Sequence, residues 1–128
     1  MINEEYEQVK EFHKTFKSPI SDTPVLLTES RAKMRAGFMR EEIDEFEESA
    51  SIYDQADAMI DLIYFALGTL VEMGVKPKNI FDIVHNANMS KLWDDGLIHA
   101  RESDGKIIKP PTWQDPYPKI KDEIDNNL

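Results

Sequence analysis

Arg40-Glu41-Glu42-Ile43-Asp44-Glu45-Phe46-Glu47-Glu48 and, after a short break, Asp54-Gln55-Ala56-Asp57-Ala58-Met59-Ile60-Asp61-Leu62-Ile63-Tyr64 are the stretches on which the reading of this chain turns. Both have helical periodicity, and both mix acids with large apolar side chains. With Met34 at zero and about 100° per residue, Phe38 falls near about 40°, Phe46 about 120°, Met39 about 140° and Ile43 about 180°. That arc is the expected buried face. Glu42, at about 80°, lies within it, Glu45 at about 20° lies beside it, and Glu41 sits just outside its edge. Asp44, Glu47 and Glu48 point away, toward water.

The second stretch belongs to a helix on which Met59, Ile60, Leu62, Ile63, Phe65, Leu67, Leu70, Val71 and Met73 leave almost no polar face. Such a helix is expected to be buried nearly all round. Asp54, Asp57 and Asp61 nevertheless share an arc of about 60°, with Gly68 further along the same line. A turn near Ser51 makes the two helices an antiparallel hairpin, which sets Glu45 level with Asp57 and Glu42 level with Asp61. Two carboxylates about 5 Å apart repel by about 3 kcal/mol at an effective dielectric near 20. No lysine or arginine occupies the inward positions of this helix to offset that repulsion. A hard divalent cation takes oxygen ligands of this kind, so Mg2+ is the expected ion and Mn2+ the next choice. A run of acids on one helix is ordinarily a solvated face; acids on a buried helix need a partner.

Working outward, a first helix is expected from a cap at Asn3 through Tyr6, Val9, Phe12 and Phe16, with Ser18 to Pro24 as loop. The second helix has two possible starts, Thr23 followed by Pro24 or Thr28, and runs to about Ala50. The third spans about Tyr53 to Met73 and stops at Gly74. The fourth begins near Pro77 and carries Ile80, Val84, Asn88 and Lys91 on one stripe, so Asn88 is expected to point inward. Beyond Trp93 the pattern loosens. Asp94-Asp95-Gly96 and Asp104-Gly105 are turn signals, and Lys106 to Lys109 fits a short strand. Pro110, Pro111, Pro116 and Pro118 preclude a long helix, leaving an irregular region with at most a helical turn after Lys119. The expected architecture is therefore all-α, a four-helix core with an irregular C-terminal loop region, in a single domain over residues 1–128.

The formal net charge of −10, from 25 acidic and 15 basic residues, disfavours nucleic acid as a partner. The absence of cysteine excludes disulfides and thiolate metal sites and fits a reducing compartment, so a cytoplasmic location is expected. Met1 to Lys10 lacks the basic start and apolar run of a signal peptide. The apolar stretch from Met59 to Met73 is interrupted by Asp61 and Glu72, so no membrane insertion is expected. His13, His85 and His99 match no zinc spacing. Glu-x-x-His pairs are absent, which sets aside a di-iron bundle.

Arg40-Glu41-Glu42-Ile43-Asp44-Glu45 is an EExxE motif, followed in order by Asp57 to Tyr64, Gly68, Asn88-Met89-Ser90-Lys91 and Asp104-Gly105-Lys106-Ile107-Ile108-Lys109-Pro110. With these motifs the chain resembles the all-α NTP pyrophosphohydrolases, the superfamily of MazG-like proteins and phosphoribosyl-ATP pyrophosphohydrolases, from about Arg31 to Pro111. One position departs from the family pattern: its second acidic motif is often ExxD, and Ala58 stands where that glutamate would be, with Asp57 one place earlier. The resemblance implies Mg2+-dependent hydrolysis of a nucleoside triphosphate between the α- and β-phosphates, giving a nucleoside monophosphate and pyrophosphate. It suggests removal of non-standard nucleotides as the role, with phosphoribosyl-ATP hydrolysis or nucleotide binding without turnover as alternatives. It further implies Glu42, Glu45, Asp57 and Asp61 as metal ligands and Glu41 or Glu42 as the group that activates water. Asn88, Lys91, Lys106 and Lys109 would contact substrate, in a homodimer or dimer of dimers. Trp93 and Trp113 could each stack on a base or anchor the loop.

Overall fold

The computed structural model describes every residue from Met1 to Leu128. It is all-helical, with five helices in the order α1 (Ile2–Phe16), α2 (Glu29–Glu48), α3 (Ile52–Met73), α4 (Pro77–Met89) and α5 (Tyr117–Asp125). The chain divides into two compact units, Met1–Pro77 and Lys78–Asn127. No single helix is long and apolar enough to cross a membrane.

In the first unit α1 and α2 both pack on α3. Tyr6 and Val9 of α1 meet Leu67 and Val71 of α3 to form the core, flanked by Ile2, Ile20 and Leu70. Burying side chains of this size stabilises the unit by about 1.5–3 kcal/mol each. The first helix starts earlier than expected, with Met1 as cap and no side-chain cap bond, so Asn3 lies inside it. Its inward stripe also differs: His13 is buried, whereas Phe12 and Phe16 are exposed. The His13 ring is held by Nδ1 donating to the Pro19 carbonyl at 2.7 Å, the bond that satisfies an imidazole in a core.

Thr28, not Thr23, caps α2, its Oγ1 accepting from Arg31 N at 3.3 Å. The segment between α1 and α2 cannot be helical because its amides serve another helix end. Ser21 N donates to Val71 O at 3.1 Å and Val25 N to Met73 O at 2.8 Å, satisfying carbonyls that the last turn of α3 leaves unpaired. Gly74 closes that end with φ 67°, and its N–H reaches Val71 O at 3.2 Å while Val75 N reaches Leu70 O at 3.0 Å. This is a Schellman closure. Glycine is required twice over, since a Cβ there would also run into the Thr23 carbonyl.

Ser51 caps α3 by accepting from Asp54 N at 3.1 Å, and only Ser49 to Ser51 separate α2 from α3. A connection this short makes the pair an antiparallel hairpin. The expectation that α3 is buried nearly all round does not hold. Ile52, Tyr53, Ile60 and Ile63 are each more than half exposed, because only two helices cover α3 within the chain. The apolar arc of α2 also divides. Its part nearest Arg35 and Phe38 faces α3, whereas Ile43 and Phe46 are exposed.

In the second unit, α4 is followed by an irregular segment whose only ladder contact is an antiparallel bridge between Ala100 and Ile107, so the strand expected over Lys106 to Lys109 does not form. Gly105, with Arg101 N to Lys106 O at 2.9 Å, makes the bridge a tight turn rather than a ladder. Trp93 anchors this loop, donating from Nε1 to Ile108 O at 2.9 Å and stacking on His99 at 4.0 Å between ring centroids. The chain then forms α5, longer than the single turn expected after Lys119. Pro118 falls in its first turn, where a missing N–H costs nothing. Asn88 is exposed on α4 rather than turned inward, as is Val84 one turn before it, whereas Ile80 is half-buried.

Candidate metal centre

The α2–α3 hairpin meshes through four successive contacts, each about one helical turn from the last. At the N-terminal end of α2, Arg31 clasps Glu72 with Nε to Oε1 and Nη2 to Oε2, both at 2.9 Å. Arg35 adds Nη1 to Glu72 Oε2 at 3.2 Å, Nε to Thr69 Oγ1 at 3.0 Å and Nη2 to the Phe65 carbonyl at 2.8 Å. The Phe38 and Phe65 rings then pack at 5.4 Å, with the Arg35 guanidinium 5.4 Å from the first ring centroid and 5.8 Å from the second. Last in the series, Glu42 comes opposite Asp61.

Glu72 and Arg35 are almost fully buried, yet each buried polar atom of the clamp has a partner. Burial lowers the affinity of the Arg35 guanidinium for its proton, and the adjacent Glu72 carboxylate acts against that shift. Gly68 makes the clamp possible: a Cβ there would fall within contact distance of Arg35 Nη2 and 3.0 Å from His13 Nε2. The sequence carries a trace of this network, in the spacing Arg31-x-x-x-Arg35 and in a lone glutamate within the apolar end of α3. That trace does not say which residues pair.

At the far end of the same hairpin, one carboxylate oxygen from each of Glu42, Glu45 and Asp61 lies within 4.8 Å of the other two. Glu42 is buried, at 8% exposure, and its Oε2 is a buried side-chain oxygen with no hydrogen-bond partner. Desolvation, a hydrogen bond with Glu45 and the charges of Glu45, Asp61 and Asp57 all raise its pKa. Asp61 is raised in the same direction by desolvation and by Asp57 and Glu45. Asp57 is thus close enough to act on both acids, but it stands outside the group of three. Ala58 is packed at 2% exposure, so a methyl in the core occupies the position of the family's frequent glutamate. Glu41 and Asp54 are exposed, and the Asp54 N–H is engaged in capping α3.

The donor set fits a divalent cation. All its atoms are carboxylate oxygens, the ligands that hard cations take, and the group leaves one buried oxygen unpartnered and two acids resisting ionisation. No lysine or arginine makes an ion pair with Glu42, Glu45 or Asp61 to supply the charge instead.

The remaining candidate residues lie in the second unit. Lys109 Nζ sits 4.5 Å and Lys91 Nζ 5.9 Å from the centroid of the Trp113 ring. Lys106 is exposed in the tight turn, its N–H donating to Asp104 Oδ1 at 3.0 Å. Asn88 is exposed on α4.

Residues 9–88 match the family described as phosphoribosyl-ATP pyrophosphohydrolase. A crystal structure provisionally described as an NTP pyrophosphohydrolase, from Exiguobacterium sp. 255-15, is 30% identical, covering 95% of this chain and 94% of its own with a TM-score of 0.52. No curated protein matches the chain. The acidic hairpin falls inside the matched family region, and the chain therefore belongs to the phosphoribosyl-ATP pyrophosphohydrolase family, within the all-α NTP pyrophosphohydrolases.

Proposed function

We propose that this protein is an Mg2+-dependent nucleoside triphosphate pyrophosphohydrolase, cleaving between the α- and β-phosphates to release a nucleoside monophosphate and pyrophosphate. The observation that carries this reading is the convergence of Glu42, Glu45 and Asp61 oxygens within 4.8 Å, with Glu42 Oε2 buried and unpartnered. Glu42, Glu45 and Asp61 would hold the ion, with Asp57 adjacent to them. Mg2+ held by such a set, or Mn2+ in its place, would supply positive charge to offset that of the phosphates.

The chain's own residues account for the proton. Water adds to the α-phosphorus, the bond from phosphorus to the α–β bridging oxygen breaks, and pyrophosphate leaves. Glu41 is exposed beside the cluster and outside the group of three, so its carboxylate is free to orient the water and accept its proton. Glu42, whose proton affinity is raised by its neighbours, is the other candidate for that task. Lys91 and Lys109, drawn together over Trp113, are assigned to the substrate's negative charge, with Lys106 and Asn88 as further polar contacts. The exposed face of α3, with Ile60 and Ile63, supports a homodimer or a dimer of dimers in which a second copy covers it. A soluble cytoplasmic enzyme that removes non-standard nucleotides is consistent with this chemistry.

The family match supports a second reading, hydrolysis of phosphoribosyl-ATP, which breaks the same kind of bond. The Exiguobacterium protein, similar over 95% of this chain and described as an NTP pyrophosphohydrolase, supports the first reading as the family match supports the second. Pyrophosphate release is to be measured with Mg2+ over a panel of nucleoside triphosphates and phosphoribosyl-ATP. Activity is expected on a triphosphate and is expected to be lost in Glu42→Gln and Asp61→Asn. Release from phosphoribosyl-ATP alone would establish the second reading, and release from nothing would overturn both.

A further inference from the structure

Glu42, Glu45, Asp57 and Asp61 lie at one end of the hairpin, but they do not stand alike toward the metal centre. Glu42, Glu45 and Asp61 each offer an oxygen within 4.8 Å of the others, and Glu42 is buried with its Oε2 unpartnered. Asp57 is exposed and outside that group, although its charge acts on both Glu42 and Asp61. The helical repeat explains the difference. Asp57 and Ala58 precede Asp61 by four and three residues, so they fall about 40° and about 60° to opposite sides of its line. Ala58 takes the inner side, at 2% exposure, and Asp57 the outer. The acid of this chain is therefore on the solvent edge of the cluster, and a methyl stands on the side where the frequent glutamate of the family would bring a fourth carboxylate.

Charge and ligand count both limit what such a cluster can hold. Two divalent ions about 3.5–4 Å apart carry four positive charges, and each needs oxygens besides those the two share. The three converging carboxylates supply three negative charges, and Ala58 supplies no oxygen. Glu41 and Asp54 are exposed and outside the group as well. A single ion, by contrast, is fully balanced by the three. Mg2+ keeps several of its six positions for water, and a water on the ion toward the solvent edge has the Asp57 carboxylate to donate to.

We propose that, before substrate binds, this chain holds one divalent ion on Glu42, Glu45 and Asp61, and that Asp57 acts on it from outside, through an intervening water, as a positioning residue. This rests on the metal-dependent reading above, and it takes Asp57 out of the four-ligand set that the resemblance implies.

The test uses Mn2+ as the probe on the full chain without nucleotide. Electron paramagnetic resonance counts the free ion, and water-proton relaxation counts the waters on the bound one. One Mn2+ per chain is expected. Asp57 is exposed, so Asp57→Asn leaves the core packing untouched. It is expected to keep both the stoichiometry and the number of bound waters while weakening binding about ten-fold, the scale on which losing a group that holds a ligand from outside is felt. Asp61→Asn is expected to weaken binding further than Asp57→Asn does. Two ions per chain, an added water on the ion in Asp57→Asn, an unchanged affinity in that variant, or no binding at all would each overturn the proposal. Single-ion binding by a protein that releases no pyrophosphate would remove the activity and keep this assignment. Pyrophosphate release by a protein that binds two ions without nucleotide would do the reverse.

Discussion

Replacing Glu72 with alanine removes the acceptor at which two arginines meet, and the two are left in unequal positions. The Arg31 side chain is 30% exposed and can turn to water, so its loss of a partner costs about 0–1 kcal/mol. The Arg35 side chain is 7% exposed and cannot do so. It keeps Thr69 Oγ1, the Phe65 carbonyl and the faces of two phenylalanines, but no counter-charge. Breaking a buried pair from one side costs about 3–5 kcal/mol, and the retained bonds put Glu72→Ala near the lower end, at about 3 kcal/mol. Arg31→Ala should cost about 1 kcal/mol, since Arg35 still neutralises Glu72. The double variant Arg35→Met with Glu72→Leu removes both buried charges and fills their volume, and it should be more stable than Glu72→Ala alone. Urea unfolding with a fixed slope measures all three. The account of the clamp is refuted if Glu72→Ala lies within 1 kcal/mol of the parent, or if Arg31→Ala costs as much as Glu72→Ala.

Three further outcomes follow from the same hairpin. Gly68→Ala places a methyl against Arg35 Nη2 and His13 Nε2, so a loss of about 1–3 kcal/mol in unfolding free energy is expected; a neutral result would mean the guanidinium has room to move. Gly74→Ala meets both a left-handed φ of 67° and the Thr23 carbonyl, and should cost more than about 1 kcal/mol, whereas Gly37→Ala, which meets nothing within 4 Å, should be neutral or stabilising. The pKa values of Glu42 and Asp61 are raised in the folded protein, so it holds more protons than the unfolded chain from the ordinary carboxylate range up to the raised values. Stability of the metal-free protein therefore falls as pH rises through that window, while Mg2+ affinity rises across it as the protons leave. Unfolding curves with EDTA and with Mg2+ at several pH values check this, and parallel curves with and without the ion would contradict it.

How much of this was legible in the sequence depends on whether the information lies along one helix or between two. The inward turn of Glu42 and Asp61 follows from the helical repeat alone, and a connection as short as Ser49 to Ser51 leaves the hairpin little choice of register. Their approach to within 4.8 Å in the structure is thus a consequence of local periodicity and a tight turn. The clamp at the other end is different. Arg31, Arg35 and Glu72 are ordinary surface residues by type, and only the tertiary pairing, with Gly68 opening the space, explains the burial of Arg35 and Glu72. Hydrophobicity misled in the opposite sense. Ile60 and Ile63 make α3 look like a helix buried on every side, yet a single chain covers one side of it, because apolar content measures what a helix would gain by burial and not whether a neighbour is present. The two tryptophans depend on tertiary contacts in the same way. Both are bonded through Nε1 to a backbone carbonyl and each ring carries a neighbour, His99 on Trp93 and the Lys109 ammonium on Trp113, so both anchor the irregular segment after α4 through partners that no local periodicity announces.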